Sequence, residues 1–324
     1  MSMPANPLAW RVGLVGYGEV GRILAEDLRA RGVTVSTYDI KLDGGEQAPL
    51  VAHAERYGVR LFTTHAALAR GSDLLISAVT ASQTLAAAEA CAPDQAHSIF
   101  LDLNSASPEV KRQAGELMDA AGGRYLEGAV MTSLPPYRIG VPLLLGGPHA
   151  ESLAEPLGRL GFAPQVVYGS LGRVSATKMC RSVMIKGLEA MLIESLTAAR
   201  CYGVEEGVLE SLRETFPGID WERQAAYMFG RVIAHGRRRA EEMREAAQTV
   251  RDAGLEPWSA AGTQLRQEWM ADLADSGLFG QRDATTFAAS PDWRTEADRI
   301  LADVKAHRDR TGAGQADLND RELP

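Results

Sequence analysis

The sequence predicts an α/β fold, with an N-terminal doubly wound, mostly parallel sheet followed by an all-helical C-terminal domain. Three observations carry this. Short apolar runs alternate with helical patterns up to about Tyr168, as strands do when crossover helices cover them. The first run, Val12-Gly13-Leu14-Val15, leads into Gly16-Tyr17-Gly18-Glu19-Val20-Gly21, which places a glycine pattern between a strand and a helix. After Gly172 the alternation stops and long helical stretches take over. A chain of 324 residues exceeds the size at which one core keeps growing, so two domains are expected. They are read as 1–172 and 173–310, with 311–324 as a tail.

The elements follow in order. Val12–Val15 is a strand, and the helical pattern from Glu19 to Arg31 stops at Gly32, a residue suited to the left-handed position just past a helix. Val33–Asp39, Leu74–Val79, Ile99–Leu103, Tyr125–Val130 and Pro142–Leu145 read as further strands. Ser107-Pro108 opens a helix with proline where no amide is needed, and Gly122-Gly123 closes it. Ser175–Tyr202 is a long helix joining the domains. Trp221–Ala253 is a second, and Ala260–Asp275 and Asp292–His307 complete the helical part. Thr311–Pro324 holds few large apolar residues and reads as flexible.

A lone G-x-G-x-x-G is a weak signal. Here a strand precedes it, a helix follows, and Asp39 ends the next apolar run about 20 residues on, which makes a Rossmann dinucleotide site. Gly16 allows the tight turn, Gly18 lets the backbone approach the pyrophosphate, and Gly21 lets the helix lie close to the strand. Tyr17, Glu19 and Val20 complete a loop whose amides face an anion at the positive helix end. Asp39 accepts from both ribose hydroxyls and repels a 2′-phosphate, so NAD is expected as cofactor, with NADP the alternative if Lys41 folds back over the ribose. Val79 and Thr80, where another strand ends, join the cofactor set.

Composition narrows the function. A formal net charge of −8, with 45% apolar and 23% charged residues, opposes general attraction to nucleic acid or acidic lipid. Cys91, Cys180 and Cys201 lack metal-ligand or redox spacing, Met1 to Trp10 has neither a basic start nor an apolar signal core, and no apolar stretch reaches the ~18 residues of a membrane span. The expectation is a cytoplasmic protein that binds no metal, membrane or nucleic acid. Cys180 is expected to be a small buried residue rather than a nucleophile.

Three motifs resemble the β-hydroxyacid dehydrogenase superfamily, which includes 3-hydroxyisobutyrate and 6-phosphogluconate dehydrogenases. They are the glycine segment 13–21, the segment Asp102-Leu103-Asn104-Ser105-Ala106-Ser107-Pro108, which is similar to the family's substrate loop, and Gly172-Arg173-Val174-Ser175-Ala176-Thr177-Lys178-Met179-Cys180, which resembles its lysine segment. Segments 186–190 and 239–243 are similar to a poorly characterised branch with a distinct phosphogluconate-dehydrogenase-like C-terminal domain. The resemblance implies that Lys178 is the general acid/base and that Asn104, Ser105 and Ser182 face the substrate. Where the family has Ser-Gly-Gly this chain has Met131-Thr132-Ser133, so the hydroxyls of Thr132 and Ser133 replace close backbone approach. Ser182 stands where the family has Asn. Ile185 stands where decarboxylating gluconate enzymes have a glutamate, which disfavours sugar-acid decarboxylation.

On a helix, Lys178, Ser182, Ile185 and Glu189 share one stripe, with Arg181 and Lys186 at its edges. Alcohol oxidation needs a base for the hydroxyl proton and the reverse needs the same group as an acid, so one lysine serves both directions. Ser105 is either a substrate contact or part of an ordinary helix entry, and Thr132 and Ser133 are either contacts or plain loop. Arg138 is either a carboxylate fork or a solvated turn arginine. His235, Arg239 and Glu242 share a face of the second long helix; with Arg238 and Glu242 paired at i, i+4 this reads as a solvated, self-paired face, or as a group reaching the substrate from the second domain or a partner subunit. Tyr227, Met228, Val232, Ile233, Met243 and Val250 spread over more than one face of that helix, which together with the family likeness predicts a homodimer. The resulting expectation is an NAD-dependent dehydrogenase or reductase acting on the CH–OH group of a small hydroxy acid or related hydroxy-carbonyl compound, with a small anionic or polar substrate. The alternatives are an imine reductase, whose fold is similar but which usually lacks the lysine, and a non-catalytic NADH-binding sensor or scaffold.

Overall fold

The computed structural model describes residues 4–44, 47–94, 98–282, 287–288 and 290–311. From the N-terminus the elements are β1 (Arg11–Val15), α1 (Glu19–Ala30), β2 (Thr34–Tyr38), α2 (Gln47–Tyr57), β3 (Arg60–Leu61), α3 (His65–Arg70), β4 (Leu74–Ser77), α4 (Thr84–Cys91), β5 (Ile99–Asp102), α5 (Pro108–Ala120), β6 (Arg124–Val130), β7 (Pro142–Gly146), α6 (Ala150–Leu160) and β8 (Ala163–Tyr168). The strands form one sheet in the order β3-β2-β1-β4-β5-β6-β7-β8. Pairing is parallel except between β6 and β7, which run antiparallel. The sheet is therefore doubly wound and mostly parallel, as expected.

Local chemistry explains the boundaries. The central strands Leu74–Ser77 and Ile99–Asp102 are buried throughout, as a sheet covered on both faces requires. Val12, Leu14, Leu24, Leu101 and Leu157 belong to the core of one face, and Leu75, Phe100, Met118 and Tyr125 to that of the other. Gly32 and Gly122 sit at φ +79° and +76°, just past α1 and α5, and Pro108 occupies the first position of α5. Strand β8, Ala163–Tyr168, is not among the strands expected from the sequence. That edge strand is only partly buried along its length, which blurs the alternation on which strand recognition depends.

The remaining elements are α7 (Arg173–Tyr202), α8 (Glu205–Thr215), α9 (Trp221–Asp252), α10 (Trp258–Asp275) and α11 (Trp293–Thr311). Among the described residues no strand follows Tyr168. The short, charged helix α8 lies outside the elements expected from the sequence, and α11 runs to Thr311, the first residue of the expected tail; 312–324 lie outside the described residues. By internal contacts the chain forms two compact units, Met1–Ser182 with Arg244–Pro257, and Val183–Met243 with Trp258–Pro324. The division thus falls inside α7 and α9 rather than at 172, because the first turns of α7 and the last turns of α9 pack in the sheet unit. Met228, Val232 and Ile233 are buried in the core of the helical unit with Leu196, Phe229 and Trp293, and Met243 is also buried. These side chains need no partner subunit, which removes most of the argument for a dimer drawn from α9. None of the described helices is long and apolar enough to cross a membrane.

Candidate functional site

The glycine loop has the geometry its spacing implies. Gly16 lies at φ +95°, a Cβ on Gly21 would stand 2.2 Å from the Gly16 carbonyl oxygen, and a Cβ on Gly18 would meet nothing within 4 Å. Two positions thus exclude side chains and the third leaves backbone open at the N-terminus of α1, whose first amides have no intrahelical acceptor. Asp39 is held by two backbone donors: the Tyr17 amide donates to one oxygen at 2.6 Å and the Lys41 amide to the other at 2.9 Å. The ring of Tyr17 is turned into the core. Glu19 and Val20 begin α1. The Val79 amide donates to Asn104 Oδ1 at 2.7 Å, Asn104 Nδ2 donates to Ser77 Oγ at 2.9 Å, and Thr80 precedes a short helical turn, Ala81–Gln83. A glycine cradle, open amides and an oriented acid fit a dinucleotide.

The next loop hangs on a buried ion pair that was not legible in the sequence. Asp102 is fully buried; it accepts from the Asn104 amide at 2.9 Å and the Tyr125 hydroxyl at 2.7 Å, and pairs with Lys111 Nζ at 2.7 Å. Lys111 also donates to the Asp102 carbonyl oxygen at 3.0 Å. Burial, with the Asp102 charge beside it, pushes the Tyr125 phenol well above its usual range. Ser105 is half-buried, while the amide of buried Ser107 donates to Glu245 Oε2 at 2.7 Å, so a residue of α9 closes the entry to α5. Asn104 therefore acts first as a tie between this loop and the end of β4.

The lysine helix starts on another buried acid. Glu127 of β6 is fully buried, and its two oxygens accept the Gly172 and Ser175 amides, each at 2.7 Å. Lys178 follows within one turn, half-buried, and Ser182 is buried. Beyond it the expected stripe is corrected. Ile185 is 40% exposed, and buried Lys186 takes its place on the inward face with Glu189. Lys186 pairs with Glu242 at 3.0 Å, and burial lowers its pKa despite that carboxylate. Arg239 forks onto Glu189, which Gln267 also approaches. Arg239 and Glu242 are therefore buried interhelical partners, not a solvated face, although the Arg238–Glu242 pair is present at 3.0 Å. An exposed residue, His235, lines a cavity of about 720 Å³ in the helical unit with Tyr227, Arg231 and Trp293.

Other expectations change as well. Cys180 is exposed, not buried, because it lies on the face of α7 opposite Ser182. Arg138 does fork onto carboxylates, but these are Asp27 at 2.8 Å and Glu26 at 2.6 Å on α1, so its fork is already taken by acids of the protein although its side chain is partly exposed. Thr132 and Ser133 are exposed in the loop after β6. No group of three or more His, Cys, Asp or Glu among the described residues is gathered to hold a metal.

Residues 11–105 match the family model described as NADP oxidoreductase coenzyme F420-dependent, and residues 199–270 match a domain of unknown function, DUF1932. A conserved hypothetical protein from Sinorhizobium meliloti 1021 is 35% identical, with a TM-score of 0.67 over 89% of this chain and 96% of that one. A conserved protein of unknown function, whose structure shows similarity with 3-hydroxyacid dehydrogenases, is 32% identical, with a TM-score of 0.64 over 82% of this chain and 98% of that one. The chain belongs to the β-hydroxyacid dehydrogenase superfamily. The mitochondrial 3-hydroxyisobutyrate dehydrogenase of Drosophila melanogaster is more distant, 23% identical over 66% of this chain and 65% of that protein. Within the superfamily the sheet unit carries the NAD(P)-binding domain, and the DUF1932 match places the chain in an uncharacterised branch.

Replacing Lys111 with Met leaves the Asp102 carboxylate buried with only neutral donors, so Lys111→Met should lower unfolding free energy by about 3 kcal/mol in urea titrations. A loss below about 1 kcal/mol would show that the pair does not secure this loop.

Proposed function

We propose that the protein is an NAD-dependent dehydrogenase or reductase that transfers a hydride between nicotinamide and a small hydroxy acid or related hydroxy-carbonyl compound, with Lys178 as general acid/base. Family membership supports the coarser statement, an NAD(P)-dependent oxidoreductase. The observation that carries the finer one is Lys178 on a helix whose first turn is fastened to β6 by Glu127, within the compact unit that also holds the glycine loop and Ser105. A sensor needs the glycines and Asp39 but has no use for a base held in this way.

Nicotinamide, when bound, would supply or accept the hydride. In oxidation the Lys178 amine takes the hydroxyl proton, and in reduction the ammonium returns it. Ser105, Thr132, Ser133 and Ser182 offer hydroxyls to the substrate's oxygens. Asn104 contributes by tying the end of β4, which leads into Val79 and Thr80, to the Ser105 loop. Asp39, fixed by two amides, favours NAD over NADP, a preference read directly from the dissociation constants of the two reduced cofactors.

A screen of hydroxy acids for NADH formation, run on wild type and Lys178→Ala, tests this. The variant should keep NADH binding and lose kcat by a factor on the order of 10² to 10⁴. Turnover at the wild-type rate removes the acid/base assignment, loss of cofactor binding makes the lysine structural, and a wild type that binds NADH but oxidises nothing favours the sensor.

We also propose a homodimer formed by the helical unit. Met184 and Met191 on α7 are 73% and 62% exposed, and Trp258 and Leu265 on α10 are 81% and 65% exposed. Each pair is seven residues apart, on helices joined by the Arg266–Glu194 ion pair at 2.5 Å. Apolar exposure on that scale marks an interaction surface. Light scattering at micromolar concentration should give about twice the 34.8 kDa chain mass; a single chain mass rejects the dimer.

A further inference from the structure

Dinucleotide binding by a glycine loop asks nothing of the side chain between the first two glycines. Here that side chain, Tyr17, is fully buried and ends a line of hydrogen bonds across three elements. Its hydroxyl lies 2.9 Å from His53 Nδ1 on α2, His53 Nε2 lies 3.0 Å from Glu26 Oε1 on α1, and Glu26 Oε2 receives Arg138 at 2.6 Å. Arg138 is anchored in turn by Asp27, whose other oxygen accepts the Ile139 amide at 3.0 Å. The His53 ring also meets Tyr17 edge-on and lies against Tyr57.

The carboxylate end of the line sets the direction of its hydrogens. Burial pushes the Glu26 carboxyl up, but hydrogen bonds from His53 and Arg138 outweigh it and hold the group below the usual glutamate range. Glu26 is then an acceptor only, so His53 Nε2 carries a hydrogen toward it, and the tautomer with that hydrogen offers Nδ1 to the Tyr17 hydroxyl as an acceptor. Tyr17, its phenol pushed up to about 12 by burial, is the donor. Its ring is thereby fixed at its outer end, and its amide, at the inner end, is the group that holds Asp39 Oδ2 at 2.6 Å.

We infer that His53 is a positioning residue for cofactor choice: by fixing Tyr17 it keeps the Asp39 carboxylate where ribose hydroxyls are bound and a 2′-phosphate is repelled. The inference rests on the NAD reading above. Loosening Tyr17 releases one of the two donors that orient Asp39, which weakens the contact to NADH and relaxes the repulsion of NADPH together. A residue that merely supported the fold would weaken both cofactors alike.

Fluorescence titrations of NADH and NADPH against wild type, His53→Leu, His53→Gln and Tyr17→Phe decide it, with melting temperatures measured alongside. Glutamine keeps an acceptor for Tyr17 and a donor for Glu26. Wild type should prefer NADH; His53→Leu should weaken NADH by about tenfold, as loss of one oriented hydrogen bond does, with NADPH affected less, so that the preference shrinks by at least about threefold. Tyr17→Phe, which deletes only the hydroxyl, should shrink it in the same direction even if the leucine variant fails to fold, and His53→Gln should stay within about twofold of wild type. An unchanged preference in the folded variants, or a glutamine variant no better than leucine, overturns the inference while leaving dinucleotide binding intact. A wild type that prefers NADPH overturns the NAD assignment with it, and one that binds neither cofactor overturns the dinucleotide reading itself.

Discussion

The structure depends most on the grip of Glu127 on the first turn of α7. A helix begins with amides that have no acceptor and carry partial positive charge, and a carboxylate in a sheet interior has lost its water; either alone costs several kcal/mol in the interior. Placed together, each satisfies the other. The surroundings are packed closely around this contact. Gly172 turns into the helix at φ +88°, and a Cβ on Gly146, the register partner of Glu127 on β7, would stand 2.7 Å from Val174 and 3.4 Å from the carboxylate. With the first turn fixed to β6, the azimuth of Lys178 follows from helix geometry alone.

The same arrangement recurs at other loops and helices of the chain. Asp102 with Lys111 and Tyr125 holds the loop after β5, Glu245 closes the entry to α5, and Lys186 with Glu242 and Arg239 with Glu189 set the pairing of α7 and α9. Buried ion pairs add little net stability compared with apolar side chains of the same volume. Their value is directional: a misplaced apolar contact remains a contact, whereas a misplaced buried charge is left without a partner. The helical unit is otherwise filled by Leu196, Phe229, Ile233 and Trp293, which fix volume but not register.

What could be read from the sequence was local. Gly16, Gly21, Gly32, Gly122 and Pro108 announce themselves because each satisfies a backbone requirement within a few residues, and together with the alternation of runs they were enough for the sheet, its cofactor loop and α7. Glu127, Lys111, Glu245 and His53 were missed because their partners lie 27 or more residues away, or because, as with Lys111 and Asp102, nothing in a nine-residue separation marks a pair as buried. The stripe on α7 was set one residue wrong because Ile185 satisfies the heptad-like spacing as well as Lys186 does, and only packing against Glu242 decides between them. Arg239 and Glu242 were read as solvated for the related reason that charge on a helix usually faces water; here a neighbouring helix supplies the opposite charges.

Hydrogen exchange of the Gly172 and Ser175 amides in Glu127→Gln tests the account most directly. The substitution preserves size but turns one acceptor into a donor facing an amide. Exchange at these two positions should accelerate by about tenfold or more, the equivalent of one lost charge-assisted hydrogen bond, while amides in the second half of α7 keep their wild-type protection. Unchanged exchange at both positions would contradict the claim that Glu127 fastens the lysine helix to the sheet.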